Sequence, residues 1–272
     1  MITTPSNSKK PTIQELGGAA LLRVTPAQIV LAVAVPFFCA AAYFAFASMD
    51  LYPAAVIMLI LLSYFSYPSV SHDLVHRAYR LAPHLNQFLL SSIELLCLRS
   101  GVAYQIVHLK HHQCFPSHED IEGRAAHMSF LNALFYGILF QPKIWLYVLK
   151  HNPPKKRLFL FEITMIACIW IVAITLANTF PALLLYCIIM HAGSWFIPLM
   201  TAYFPHRAEG EDEYAQTKRF RGKAFALLSL EHLYHLEHHL YPSVPHQNWP
   251  KLARQLDPHL DEKKAEAITL LK

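Results

Sequence analysis

Charge is scarce in this chain of 272 residues: 15% are Asp, Glu, Lys or Arg, against 54% hydrophobic. Ordinary soluble domains carry about 25% charged residues, so a soluble enzyme is a poor fit. Cysteine is sparse too. Cys39, Cys97, Cys114, Cys168 and Cys187 are odd in number, scattered and without a CxxC. That spacing argues against a disulfide framework and against a thiolate metal site. The net charge of +5 comes with no basic stripe interleaved with aromatics, so no nucleic-acid partner is expected. There is no HExxH, the helical zinc-hydrolase motif. No internal repeat or low-complexity linker divides the chain, and one domain is the simplest account.

Long apolar runs are present instead. Ala27 to Ser48, Ala54 to about Pro68, Leu158 to Thr179 and Pro181 to about Tyr203 each read as a membrane span. Residues 86–104 are apolar but interrupted by Glu94, Arg99 and Gly101, and read as an interfacial or re-entrant helix. Residues 129–150 read as interfacial. The connectors at 49–53 and 178–181 contain no Lys or Arg, whereas all 23 basic residues fall in the N-terminal tail, in 70–157 or after Tyr203. That asymmetry places both termini and the central loop in the cytoplasm. The expected architecture is an all-α polytopic membrane protein: four transmembrane helices and a cytoplasmic helical cap carrying a di-metal histidine site. The expected divisions are a floppy polar tail over 1–26, a membrane domain over 27–250 and a soluble helix over 251–272. A bacterial inner membrane is the expected location.

Three histidine clusters then lie on one face. They are His72-Asp73-Leu74-Val75-His76, His108-Leu109-Lys110-His111-His112 and His235-Leu236-Glu237-His238-His239. On a helix, positions three and four apart share a side, so each cluster aims its imidazoles together. Neutral imidazole ligates iron, copper, nickel and zinc. Eight histidines exceed what one tetrahedral zinc needs and suit a pair of metals. All-imidazole ligation beside oxygen donors suits iron, with O2 as co-substrate and no catalytic side chain apart from the ligands. Asp73, Glu119, Asp120, Glu231 and Glu237 are candidates to orient the imidazoles; solvated surface acids are the plainer reading of each. His191, inside the fourth span, is a functional candidate or a bundle hydrogen-bonder. His232, one turn before His235, is a candidate partner of the ligands. His84, His118, His127, His151, His246 and His259 read as surface or interfacial.

In this order, HDLVH, HLKHH and HLEHH resemble the histidine boxes of the membrane fatty acid desaturase-like superfamily, over roughly residues 50–250. Ala202-Tyr203-Phe204-Pro205-His206-Arg207 and His239-Leu240-Tyr241-Pro242-Ser243-Val244-Pro245 resemble segments of carotenoid ring hydroxylases and ketolases. The resemblance implies a non-haem di-iron oxidoreductase with the eight box histidines as ligands and His206 as a ninth. Some desaturases place an asparagine ligand one turn before that ninth histidine; here the position is Ala202. The expected reaction is oxygen-dependent hydroxylation or ketolation of a carotenoid end ring, with fatty acyl desaturation or hydroxylation as the alternative. The expected partners are a lipid or carotenoid substrate, membrane lipid and a separate electron donor such as ferredoxin. Lys218, Arg219, Arg221 and Lys223 have the charge to dock an acidic donor, although positive-inside anchoring is their plainer role. A haem protein, a zinc hydrolase and a non-catalytic metal-binding protein are the rivals from other classes.

Overall fold

The computed structural model describes residues 10–151, 154–222, 234–262 and 267–269. It is 71% helical. Among the described residues, four helical stretches are long and apolar enough to cross a bilayer: Gly18–Ser48, Tyr52–Val75, Lys156–Thr175 and Pro181–Tyr203. The first is mainly α1 (Pro26–Ser48), whose start follows from local chemistry. Thr25 accepts from the Gln28 N–H and Gln28 reaches back to the Thr25 N–H, a reciprocal capping box with Pro26 at the first turn. Asp50, at φ 57°, turns the chain into α2 (Tyr52–Phe65), which packs along α1. The far pair is α8 (Lys156–Thr175) and α9 (Pro181–Gly193), with Pro181 opening the latter. Val30, Leu31, Phe38, Ile57, Ile60, Phe161, Ile171 and Ile174 point outward on these helices. Exposed apolar side chains in such numbers suit lipid as the surrounding solvent. Away from the histidines, Tyr43, Phe44, Phe180 and Tyr186 interlock as stacked and edge-on rings, and the Tyr43 hydroxyl donates to the Ala182 carbonyl.

Two of the spans change pitch near the histidines. After α2 the chain widens into a π-type turn, Ser66–Val70, before α3 (Ser71–Val75); after α9 it does so again at Leu199–Tyr203. Pro68 lies inside the first turn and Pro198 just before the second, where a ring that removes an N–H disturbs regular helix pairing.

Between spans two and three, α4 (Pro83–Leu96) and α5 (Gly101–Cys114) form a hairpin sunk into the protein, with Leu90, Ile93, Val102 and Ala103 fully buried. The charges that interrupt this stretch in the sequence pair with each other: Arg99 Nε lies 2.7 Å from Glu94, both buried. Ser100 caps α5 and donates to Glu162 of α8, which also accepts from the Val102 N–H. A carboxylate at a helix N-terminus offsets the exposed amide dipoles there. Helices α6 (Phe130–Ile138) and α7 (Phe140–His151) follow. Gly137 lets α6 meet the backbone at Trp195, since a Cβ there would sit 1.8 Å from the Trp195 carbonyl.

The C-terminal part contains α10 (His235–Leu240) and α11 (Trp249–Glu262). A pair of three-residue strands, β1 (Arg219–Arg221) and β2 (Ala267–Thr269), run parallel with Phe220 opposite Ile268; three residues are too few for a period-two pattern to show in sequence. Two expectations need correction. Residues 10–25 are not floppy: Leu16 and Leu21 are buried against Leu236, Leu240, Trp249 and Leu252, and Tyr241 donates to the Pro11 carbonyl. Nor does α11 stand apart in solvent, because Leu252, Leu256 and Leu260 belong to that same core. Residues 16–21 are too short a run, and α11 too polar, for burial to be read from composition alone.

Candidate metal centre

The three boxes and His206 bring nine imidazoles into two adjoining groups. His72, His76, His108, His112 and His238 form one, and His111, His206, His235 and His239 the other; within each, one ligand atom per residue lies within 4.8 Å of all the rest. Each HxxHH box serves both. On α5 the i, i+4 pair His108 and His112 turns to the first group while His111 faces the second. On α10 the division reverses, with His235 and His239 in the second group and His238 in the first. A helix advances about 100° per residue, so positions i and i+4 diverge by only about 40° and i+3 leans the other way. The rings of His112 and His239 stack at 4.3 Å where the groups meet.

Acceptors behind the rings fix their orientation. His111 donates from Nδ1 to Asp120 (2.6 Å), and His108 from Nδ1 to Glu122 (2.9 Å). His206 Nδ1 faces the Gln216 carbonyl (3.2 Å), which can only accept. Their Nε2 atoms are therefore bare, yet His111 and His206 approach to 3.1 Å through Nε2, and His206 and His235 to 3.0 Å. In the first group, His72 and His238 stand 3.0 Å apart, His112 and His238 2.7 Å. One proton between two lone pairs satisfies one pair only; a cation satisfies the whole ring of donors. The buried His76 Nε2 has no hydrogen-bond partner among the described residues. The donor set fits a pair of imidazole-ligated metals.

The electrostatics agree. Burial first, and neighbouring imidazoles second, push His76, His112, His206, His238 and His239 well below the ordinary histidine value, keeping them neutral and ligand-ready. His111 goes the other way: burial pushes it down, and its hydrogen bond to Asp120 more than offsets this. Burial pushes Asp120 up, and His111 brings it below the usual carboxylate range. Gly123 donates its N–H to Asp120 at 2.9 Å, and a Cβ there would come within 2.1 Å of the Asp120 oxygen.

Other candidates fall elsewhere. Asp73 holds no box imidazole; it accepts from the His246 N–H and Nδ1 at 3.1 and 2.7 Å, tying the first box to the C-terminal segment. His246 is thus part-buried and engaged, not a plain surface residue. Glu119 is exposed and pairs with Lys110. His191 packs its ring against Trp170 and Trp195 and joins neither group. Glu231 and His232 lie outside the described residues. Glu237 is buried between His235 and His238 and paired with Arg221, which also bonds Asp257 of α11. Burial pushes Glu237 above the usual carboxylate range, and Arg221 holds it partly back. Arg219 is buried on Asp257, and Lys218 donates to the Phe204 carbonyl. Arg219 and Arg221 are thus neutralised within the fold and lost to the expected docking face, whereas Lys218 keeps its charge; Lys223 lies outside the described residues.

Sequence reading missed Glu122, which sits at an alternate position to Asp120, and Trp249, whose ring lies 5.2 Å from His238 and 5.7 Å from His72. The Asp-x-Glu spacing beyond the second box is a usable signal for Glu122; Trp249 had none. Ala202 is buried and its carbonyl accepts from the His206 N–H, leaving the second group one imidazole short of the first.

A chamber of about 20 Å³ adjoins both groups. His72, His108 and His235 form its metal-side wall, Trp249 closes it, and Tyr67, Pro68, Tyr104 and Thr201 form the rest. Tyr67, Pro68 and Thr201 come from the two π-type turns. Widened turns of this kind recur at functional sites because they re-aim side chains out of register.

The class is thereby defined: a helical membrane protein with nine histidines gathered into two adjoining groups that could each hold a metal ion. The Fatty acid desaturase family model matches residues 49–270, and the chain belongs to that family. Membership implies an oxidoreductase acting on lipid with a separate electron donor. No curated protein matches the chain.

Proposed function

We propose that this protein oxidises a C–H bond of a long apolar lipid, using O2 and electrons from a separate donor such as ferredoxin. The carrying observation is the small chamber, with imidazoles of both groups on one side and residues of two spans on the other. Two irons held by His72, His76, His108, His112 and His238, and by His111, His206, His235 and His239, would supply the oxidising chemistry. The chain's own contribution is positional. Asp120, Glu122 and the Gln216 carbonyl hold their imidazoles as Nδ1–H tautomers with Nε2 free to bind. The buried Trp249 closes the chamber toward α11, and Tyr67, Tyr104 and Thr201 set the approach of the reacting carbon. Both termini and the metal centre lie on the cytoplasmic side in this reading, since the Lys-free connectors face outward, and a bacterial inner membrane is its setting.

The specific substrate we propose is a carotenoid, hydroxylated or ketolated on its end ring; the support is the two sequence segments at 202–207 and 239–245. The structure uses the second of these as the turn between α10 and α11, with Tyr241 bonded to Pro11 rather than lining the chamber. A fatty acyl chain is the second reading, favoured by the family match. Expression in a bacterial host accumulating β-carotene, with pigment analysis by chromatography and mass spectrometry, tests this. A ring hydroxyl or keto product supports the carotenoid. Unchanged carotene from iron-loaded protein overturns it and directs the assay to the cells' acyl chains.

A further inference from the structure

A second pocket, of about 320 Å³, opens on the far side of the loop that carries Asp120 and Glu122. Arg124, Lys143, Lys150 and His151 surround it, and Ile121, Tyr136, Tyr147 and Leu146 make its apolar lining. Lys143 and Lys150 are seven residues apart on α7 and so project from one helical face. What partners these cations is informative. Lys143 lies over the Tyr136 ring at 4.2 Å, and Arg124 donates to the His118 carbonyl; neither contact cancels a charge. The ion pairs among the described residues involve other cations. Asp120 and Glu122, the acids on either side of Ile121, are committed to His111 and His108. The pocket therefore keeps three positive charges with no acid in its lining.

The surface of the two helices that line it is apolar. Leu146 of the pocket itself is 65% exposed on α7, and the adjoining α6, which supplies Tyr136, exposes Leu131 (61%) and Phe135 (63%). Ile138, Leu139 and Leu149 continue this surface. Exposed apolar side chains beside a cationic recess are the pattern of a helix lying at the headgroup level of a bilayer. A free phosphate would use the cations and leave this apolar surface in water; a phospholipid uses both.

We propose that this pocket binds the headgroup phosphate of an anionic phospholipid, with the acyl chains running over Leu146 and its neighbours. The site also touches the metal centre indirectly. Tyr136 donates its hydroxyl to the Ile121 carbonyl at 3.0 Å, and Ile121 sits between the two acids that orient His111 and His108. A lipid in place thus braces the loop from behind. The inference does not depend on which lipid is oxidised or on which metal is held.

Native mass spectrometry of the purified full chain, from micelles mixed with phosphatidylglycerol or phosphatidylcholine, tests it. Retention of phosphatidylglycerol over phosphatidylcholine is expected. Each cation near a membrane surface is worth roughly fivefold in affinity, so Arg124→Gln with Lys143→Gln and Lys150→Gln should weaken retention about a hundredfold. Lys251→Gln, on α11, is the one-charge control for Lys150→Gln and should retain wild-type binding. Metal content and thermal unfolding establish that the triple variant is folded. Equal retention of both lipids, or undiminished retention by a folded triple variant, overturns the site. Displacement by millimolar inorganic phosphate as effective as by phosphatidylglycerol overturns the lipid assignment. Should the triple variant fail to fold, Lys150→Gln alone carries the test, with a loss of about fivefold expected and none contradicting it.

Discussion

The two histidine groups draw on the same boxes but are anchored differently. The five-histidine group takes every member from a box and is backed by Glu122 on His108. The four-histidine group borrows His206 from the end of the fourth span, and it rests on Asp120 and on a backbone carbonyl. His206 is positioned by an isolated bridge to Thr217, on a segment outside the box helices. The second group thus has one fewer imidazole, with Ala202 beside it instead of a polar donor. The first group is redundant and box-built; the second depends on single contacts. Substitutions at the second group should therefore be the more selective.

The largest effect is expected at the shared chemistry. His206→Ala should lower turnover by more than ~100-fold and remove about one of two metals, whereas His76→Ala should leave the second site filled. Metal content beside turnover reads this; equal metal loss from both sites in both variants would erase the distinction. Arg221→Ala should damage both groups together. It strands buried Glu237 between His235 and His238, a loss of about 3–5 kcal/mol for breaking a buried pair, seen in thermal unfolding. Asp120→Asn should act on the second group, reducing its metal affinity or activity by about 10–100-fold, with the five-histidine site still occupied in a metal titration.

Acidity should sharpen the picture next. In metal-free protein, burial and then neighbouring imidazoles hold His76, His112, His206, His238 and His239 well below the ordinary histidine range. Below about pH 6.5 the unfolded chain takes up protons at these positions and the folded chain does not. Stability is thus fully present above that pH and lost as pH falls. His111, raised instead, contributes in the opposite direction but is one against five. Denaturation midpoints at pH 7 and pH 5 check the sign, and metal should suppress the loss by occupying the imidazoles. The smallest effect belongs to His259→Ala: the residue is exposed on α11, in neither group, and turnover should be unchanged.

The difference between the groups also governs what could be read from residues alone. Helical spacing identifies HxxHH as a shared face, and hydropathy finds all four spans, although the first helical stretch starts at Gly18, nine residues before the expected start, and the second runs to Val75, seven beyond the expected end. Spacing alone did not show that each box would split between two metals, because a 40° divergence matters only once partner helices are placed. His206 came from family likeness, having no motif of its own. Glu94 and Arg99 left the buried hairpin open between an interfacial and a re-entrant reading, since a pair five residues apart reads as two isolated charges until the turn closes it. Arg221 looked like surface charge for the same reason: its acids, Glu237 and Asp257, lie 16 and 36 residues away. Long-range pairing is the part of the fold that local pattern does not encode.

Nine imidazoles in two groups have the donors to hold two irons per chain. Elemental analysis of purified wild-type protein and His206→Ala, each normalised to chain concentration, addresses it most directly. About two irons per wild-type chain and about one in the variant are expected. Zinc in place of iron, or a single metal per wild-type chain that His206→Ala leaves in place, would contradict it.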